Sequence, residues 1–269
     1  MTALLALAGL TRRFAGLVAV DSVDMAVQPG GIHAVIGPNG AGKTTLFNLV
    51  SGIDAPSAGR ILLAGQDVTR LPAHRRAGLG VARTFQNIRV FAAMTALENV
   101  LTGLHPKLRS GLADVLLRTG RFRREEAAAV SEARAALALV GLSAQAGQPA
   151  AALAYGDQRR LEIARAMAGR PRLLLLDEPA VGLNPAETAA LAALVRRIRD
   201  SGTTVLLVEH DMGFVMDISD AVTVLSFGRR IFEGPPAAVR QSPVVIEAYL
   251  GQKVAARLAQ GVRAGVRGA

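Results

Sequence analysis

From Ala3 to about Ala92, short apolar runs such as Ile32–Ile36 alternate with glycine turns, as at Gly30-Gly31 and Gly65. That rhythm predicts a strand-rich region, and the apolar stretch 1–10 reads as its first strand. From about Met94 to Met167 the glycine punctuation thins, and Ala, Leu, Arg and Glu dominate. Within it, 123–140 has a charged start and a stop at Gly141, the marks of a helix. The chain is therefore expected to carry a helical lobe at about 93–167.

The runs 172–176 and 203–208 are nearly continuous in apolar residues, as strands buried on both faces of a parallel sheet are. Between them lies a helix with legible ends. Asn184 can cap it, Pro185 takes its first position, Glu187 sits where a capping box places its acid, and Gly202 follows its last turn. Strand, helix and strand in succession make a βαβ unit. A hairpin is expected over 221–233 around Gly228. Residues 251–269, with Lys253, Arg257, Arg263 and Arg267, read as a flexible basic tail behind a domain over 1–250.

Composition narrows the chemistry. There is no cysteine, which removes disulfides, thiol catalysis and cysteine-based metal sites and suits a cytosolic chain. The net charge of +10 raises a polyanionic partner, but aromatics are only 4%, too few to build stacking platforms for single-stranded nucleic acid. No nucleic-acid partner is expected. The arginines at 118, 121, 123 and 124 read as a solvated helix face rather than a lipid contact. No stretch reaches the roughly 18 apolar residues that span a bilayer.

Gly37-Pro38-Asn39-Gly40-Ala41-Gly42-Lys43-Thr44-Thr45 fits G-x-x-x-x-G-K-[ST] between the strand Ile32–Ile36 and a helical run ending near Gly52. Its glycines let backbone N–H groups converge on phosphate oxygens at a helix N-terminus. Lys43 supplies a compact charge near the β and γ phosphates, and the Thr44 hydroxyl can ligate Mg²⁺. Arginine fills 28 of the 31 basic positions, so a lysine here marks a point-charge role that a forked guanidinium would not fill. The run 173–176 ends in Asp177 and Glu178, 134 residues after Lys43. In a parallel sheet the ligand sits at the carboxyl ends of the strands, so Asp177 can hold the Mg²⁺ shell while Glu178 faces the attacking water as general base.

Leu153-Ala154-Tyr155-Gly156-Asp157-Gln158-Arg159-Arg160-Leu161, just upstream of Asp177, resembles the L-S-G-G-Q signature of ABC ATPases. Gln86 in Arg83-Thr84-Phe85-Gln86-Asn87 resembles the Q-loop glutamine, and His210 in Glu209-His210-Asp211 the switch histidine. Phe14, 23 residues before Gly37, resembles the aromatic that stacks on adenine. Order and spacing agree across about residues 4–250. The resemblance implies an α/β P-loop NTPase core with a mixed, largely parallel sheet, an antiparallel strand subdomain and an inserted helical subdomain. It implies ATP and Mg²⁺ as cofactors, with Gln86 at the metal and coupling to membrane subunits, and His210 contacting the γ-phosphate. Ala154, Tyr155, Gly156 and Asp157 would bind the γ-phosphate of an opposing subunit.

Within that family, 83–91, the unusual signature, Gly182-Leu183-Asn184-Pro185 and Glu247-Ala248-Tyr249-Leu250-Gly251 resemble the longer ATPase subunit of branched-chain amino acid importers. This implies two hydrophobic membrane permease subunits, a second, different ATPase, and a periplasmic binding protein acting indirectly. It also implies a peripheral place on the cytoplasmic face of a bacterial inner membrane. Ala154 departs from the family's signature serine and Asn184 from an aspartate common among relatives. A soluble ABC ATPase acting on nucleic acid or ribosomes is the alternative; such chains usually carry two cassettes or a long coiled coil, and this one has neither.

Overall fold

The computed structural model describes residues 2–107, 110, 111, 114 and 116–250; the basic tail lies outside them. The chain divides into two compact units, Met1–Arg70 with Leu206–Ala269, and Leu71–Val205.

In the first unit, β1 (Leu5–Phe14) and β2 (Leu17–Val27) form an antiparallel hairpin. β4 (Ala58–Leu63) lies on the other side of β1, followed by β5 (Gln66–Asp67), which gives the order β2-β1-β4-β5. Leu5, Leu7, Leu10, Val20 and Val23 are buried, so these strands shield one face. β3 (Ile32–Ile36) is buried at every position and runs parallel to β9 (Ala221–Ser226). β9 returns antiparallel through β10 (Arg229–Gly234), the hairpin expected around Gly228. Its two turn residues, Phe227 and Gly228, have φ of 47° and 78°, the double left-handed geometry that matches strand twist in tight hairpins.

The second unit pairs β6 (Val81–Arg83) parallel to β7 (Leu173–Asp177). Leu173 to Leu176 are all fully buried, as their unbroken apolar run requires. The helix Pro185–Asp200 starts with the expected capping box: Asn184 accepts from the Glu187 N–H, and the Glu187 carboxylate accepts from the Asn184 N–H. Leu191, Leu194, Val195 and Ile198 form its buried stripe. The helices Ala96–Thr102, Gly120–Leu139 and Tyr155–Ala168 pack on one another. The long helix begins three residues before the charged start at Arg123, because the Thr119 hydroxyl caps it by accepting from the Phe122 N–H. Gly141, at φ 76°, closes it. The boundary between the two units falls inside β8 (Thr204–Val208).

Candidate functional site

In the first unit, β3 delivers the chain into the loop 37–42, and the helix Lys43–Ser51 begins at once. Two of the loop's glycines are obligatory for close packing. A Cβ on Gly37 would lie 2.2 Å from the Leu225 carbonyl oxygen, and one on Gly42 would lie 2.3 Å from that of Ala19. The loop is tied down by the Gly228 N–H, which donates to the Ala41 carbonyl at 3.1 Å, and by the Ala41 N–H, which donates to Pro38 at 3.1 Å. Gly42 offers the helix no side-chain cap, and its first turn holds no acid. The positive end of the helix dipole is therefore left for an anion. Lys43 curls back over the loop, its Nζ donating to the carbonyls of Gly37 at 2.7 Å and Pro38 at 3.0 Å, while Thr44 is exposed.

Phe14 ends β1 at 40% exposure, with the Arg12 guanidinium 4.4 Å from its ring centroid. His210 is exposed just after β8. Its backbone is fixed by the buried Glu209, whose carboxylate accepts from the His210 N–H at 3.0 Å and the Asp211 N–H at 3.4 Å. Asp211 in turn caps the helix Met212–Ile218. The helix Pro243–Leu250 contributes Tyr249, whose hydroxyl is buried and whose pKa burial pushes up to about 12, opposed by the backbone of Gly37. Nothing in the sequence pattern pointed this tyrosine at the phosphate loop.

In the second unit the acidic pair meets the segment 83–86. Asp177, 4% exposed, ends β7 and receives the Arg83 guanidinium on Oδ2 at 2.7 Å. Glu178 follows with φ 46°, a left-handed conformation of the kind found at functional sites. The Gln86 amide donates to its Oε2 at 2.8 Å. Register is kept by the Thr84 N–H, which donates to the Leu175 carbonyl at 2.9 Å, and by the Asp177 N–H, which donates to the Thr84 hydroxyl at 3.4 Å. The structure thus joins Gln86, Asp177 and Glu178 in one cluster, while Phe14, the residues 37–45 and His210 belong to the first unit.

Ala154 is the N-cap of the helix Tyr155–Ala168 and gives it no side-chain bond. The Tyr155 hydroxyl donates to the Val181 carbonyl at 3.3 Å, and its ring covers Gly182. A Cβ on Gly156 would come within 2.8 Å of the Glu187 carboxylate. Asp157 is paired with Arg160. One turn further on stand Arg159 and Glu162, to neither of which the motifs give a role. Arg159 donates to the carbonyls of Phe85 at 2.9 Å and Gln86 at 2.8 Å, and Glu162 accepts from the Phe85 N–H at 3.3 Å. The two form an ion pair of 3.1 Å with side chains 1% exposed. Burial raises the Glu162 pKa, opposed by the Phe85 N–H and then by Arg159. Opposite charges three residues apart on an otherwise apolar helix face, between Leu161 and Ile163, were the available signal. The same segment borders a cavity of about 790 Å³, lined among others by Gly80, Phe85, Arg89, Phe91 and Arg165.

Among the described residues no group of three or more His, Asp or Glu side chains could cage a metal ion. An ion held by one or two protein oxygens plus phosphates, as Mg²⁺ commonly is, needs no such cage. Asp177, a buried carboxylate already facing a cation, suits that mode.

The family model described as ABC transporter matches residues 20–181, and the one described as branched-chain amino acid ATP-binding cassette transporter matches 229–255. The high-affinity branched-chain amino acid transport ATP-binding protein LivG of Escherichia coli is 48% identical over 250 residues, covering 93% of this chain and 98% of its own length. The corresponding BraF of Pseudomonas aeruginosa is also 48% identical, with the same coverage. Among solved structures, the ADP conformation of an ATP-binding cassette from an ABC transporter superposes with a TM-score of 0.82 at 29% identity, covering 94% of this chain and 100% of that one.

Proposed function

The chain belongs to the ABC transporter ATP-binding family, and from that premise we propose that it is the ATPase subunit of a branched-chain amino acid importer. The observation that carries the hydrolytic reading is the half-buried Glu178 carboxylate, held by the exposed Gln86 amide at 2.8 Å. The substrate reading rests on the two relatives, matched over nearly their whole length.

In this reading Phe14 stacks on adenine, and the N–H groups of 37–45 receive the phosphates. The Lys43 ammonium exchanges carbonyl partners for phosphate oxygens, which pairs it with an ionised acceptor in place of a neutral one. Thr44, Asp177 and Gln86 offer oxygen ligands to Mg²⁺, which when bound supplies charge neutralisation at the phosphates. Glu178 takes the proton of the attacking water, and His210 donates to the γ-phosphate. Gln86 couples the hydrolytic site to the membrane subunits, and its backbone carbonyl is held by Arg159 of the signature helix. The cavity beside Phe85 supports docking of a segment from a membrane permease subunit at the cytoplasmic face of the inner membrane.

The signature residues argue for a second, different ATPase. Ala154 lacks the hydroxyl that would bond a γ-phosphate across a dimer, a bond to a charged group worth ~1.5–3 kcal/mol. Tyr155 and Asp157 are engaged with Val181 and Arg160, so neither is idle to replace it. Pairing with a partner that bears an intact signature gives one full site, which uses Lys43 and Glu178 of this chain. The periplasmic binding protein acts through the permeases.

The test is co-expression with candidate permeases, a second ATPase and a binding protein, followed by reconstitution into vesicles. Uptake of a branched-chain amino acid should require ATP and be abolished by Glu178→Gln, with ATP still bound. Uptake undiminished by Glu178→Gln would overturn the hydrolytic role, and ATP-dependent uptake of other solutes alone would overturn the substrate.

A further inference from the structure

Arg83 lies outside the residues to which the motifs give a role, yet it makes the closest contact to Asp177. The guanidinium donates to Asp177 Oδ2 at 2.7 Å, and the two side chains are only 8% and 6% exposed. Removing one member of so dry a pair leaves the other as an uncompensated buried charge. Arg83 is also firmly placed. It ends β6, whose register with β7 sets Arg83 opposite Leu175, and its guanidinium lies 5.3 Å from the centroid of the Phe85 ring. The following residue, Thr84, bonds β7 twice.

A carboxylate in this position has two possible cations to serve. One is the fixed guanidinium, and the other is the divalent ion that accompanies ATP. Both are attracted to the same oxygens, and a positive charge within a few ångströms of a metal ligand disfavours the metal. We propose that Arg83 is a built-in counter-ion for Asp177, satisfying the carboxylate when no metal is bound and competing with the divalent cation, so that it sets the cation affinity of the site. This rests on the reading of Asp177 as a metal-facing carboxylate. Arg83 is thus a positioning residue: it acts on the metal through Asp177 rather than by touching substrate. The arrangement gives the chain a neutral buried pair at rest and a raised threshold for loading the metal. Gln86 on Glu178 completes a parallel pairing in which 83–86 covers both acids.

The experiment measures binding of Mn²⁺ to the ATP-loaded full chain by electron paramagnetic resonance, with no turnover required. Arg83→Gln removes the competing charge and should tighten Mn²⁺ binding by about 5- to 150-fold, the usual span of coupling between two binding events. Arg83→Lys keeps a charge but loses the fork, and should tighten binding less. Unchanged or weaker binding in Arg83→Gln overturns the proposal. If that variant does not fold, Arg83→Lys decides by the same rule: tighter binding supports competition, and wild-type or weaker binding overturns it. Asp177→Asn separates the role of Asp177 from that of Arg83. Wild-type Mn²⁺ affinity in that variant would sink the reading of Asp177 itself, whereas a large loss upholds it and leaves the Arg83 variants to decide whether the guanidinium competes.

Discussion

Single residues in the two clusters carry different kinds of work, and substitution should separate them. In the proposed reading Lys43 neutralises phosphate, so Lys43→Ala should weaken binding of a fluorescent nucleotide by itself. Its Nζ donates to the backbone carbonyls of Gly37 and Pro38, so the loop loses a tether as well. Glu178 touches no phosphate in this reading. Glu178→Gln should leave nucleotide binding near wild type and lower turnover of the assembled transporter by about 10²- to 10⁴-fold, the usual worth of a positioned general base. Equal damage to binding from both substitutions would contradict this division. Lys43 and Glu178 could be singled out in the sequence because each sits in a motif whose residue spacing suggests one mechanical use. The contacts of Arg83, Arg159 and Glu162 with Asp177 and the backbone of 85–86 could not, since those partners lie more than 70 positions away in the chain.

At the level of elements, caps and strand pairings make measurable claims. Asn184 closes the capping box of the helix Pro185–Asp200, so Asn184→Ala should lower stability by about 0.5–2 kcal/mol in urea titrations. On β3, His33 is buried, and its Nε2 lies 2.8 Å from the Thr223 hydroxyl, which donates to Glu233 at 3.3 Å. With the hydroxyl proton directed at Glu233, the imidazole donates to the Thr223 oxygen from Nε2. Burial holds its pKa below the ordinary 6.5, with the Glu233 charge opposing in part. The unfolded chain therefore takes up this proton first as pH falls. The contribution is full above about pH 6.5 and is lost below it, at up to about 1.4 kcal/mol per pH unit for one proton. His33→Gln should flatten that part of the stability profile, and an unchanged slope would assign the acid loss elsewhere.

For the whole molecule the question is how nucleotide state reaches the membrane. The Gln86 side chain reads Glu178, while its carbonyl is gripped by Arg159 on the signature helix. Gln86→Ala should accordingly impair uptake in reconstituted vesicles more than ATP binding; parallel losses would leave it no coupling role. The asymmetry expected from Ala154 is checked by comparing Glu178→Gln here with the same change in the partner ATPase. A much larger loss of ATPase activity from this chain's variant supports one full and one weaker site, and matched losses refute it. By itself the sequence determined the strand-rich opening, the helix over 123–140, the capped helix after Glu178, the hairpin at Gly228 and the family. Those features rest on local periodicity, turn chemistry and fixed spacing, which neighbouring residues impose on one another. Only the tertiary structure decided that Arg83 neutralises Asp177, that Arg159 and Glu162 clasp the backbone of 85–86, and that Tyr249 lies beside Gly37. Each of these joins residues more than 70 positions apart, where a contact exists only because burial has forced a polar group to find its partner.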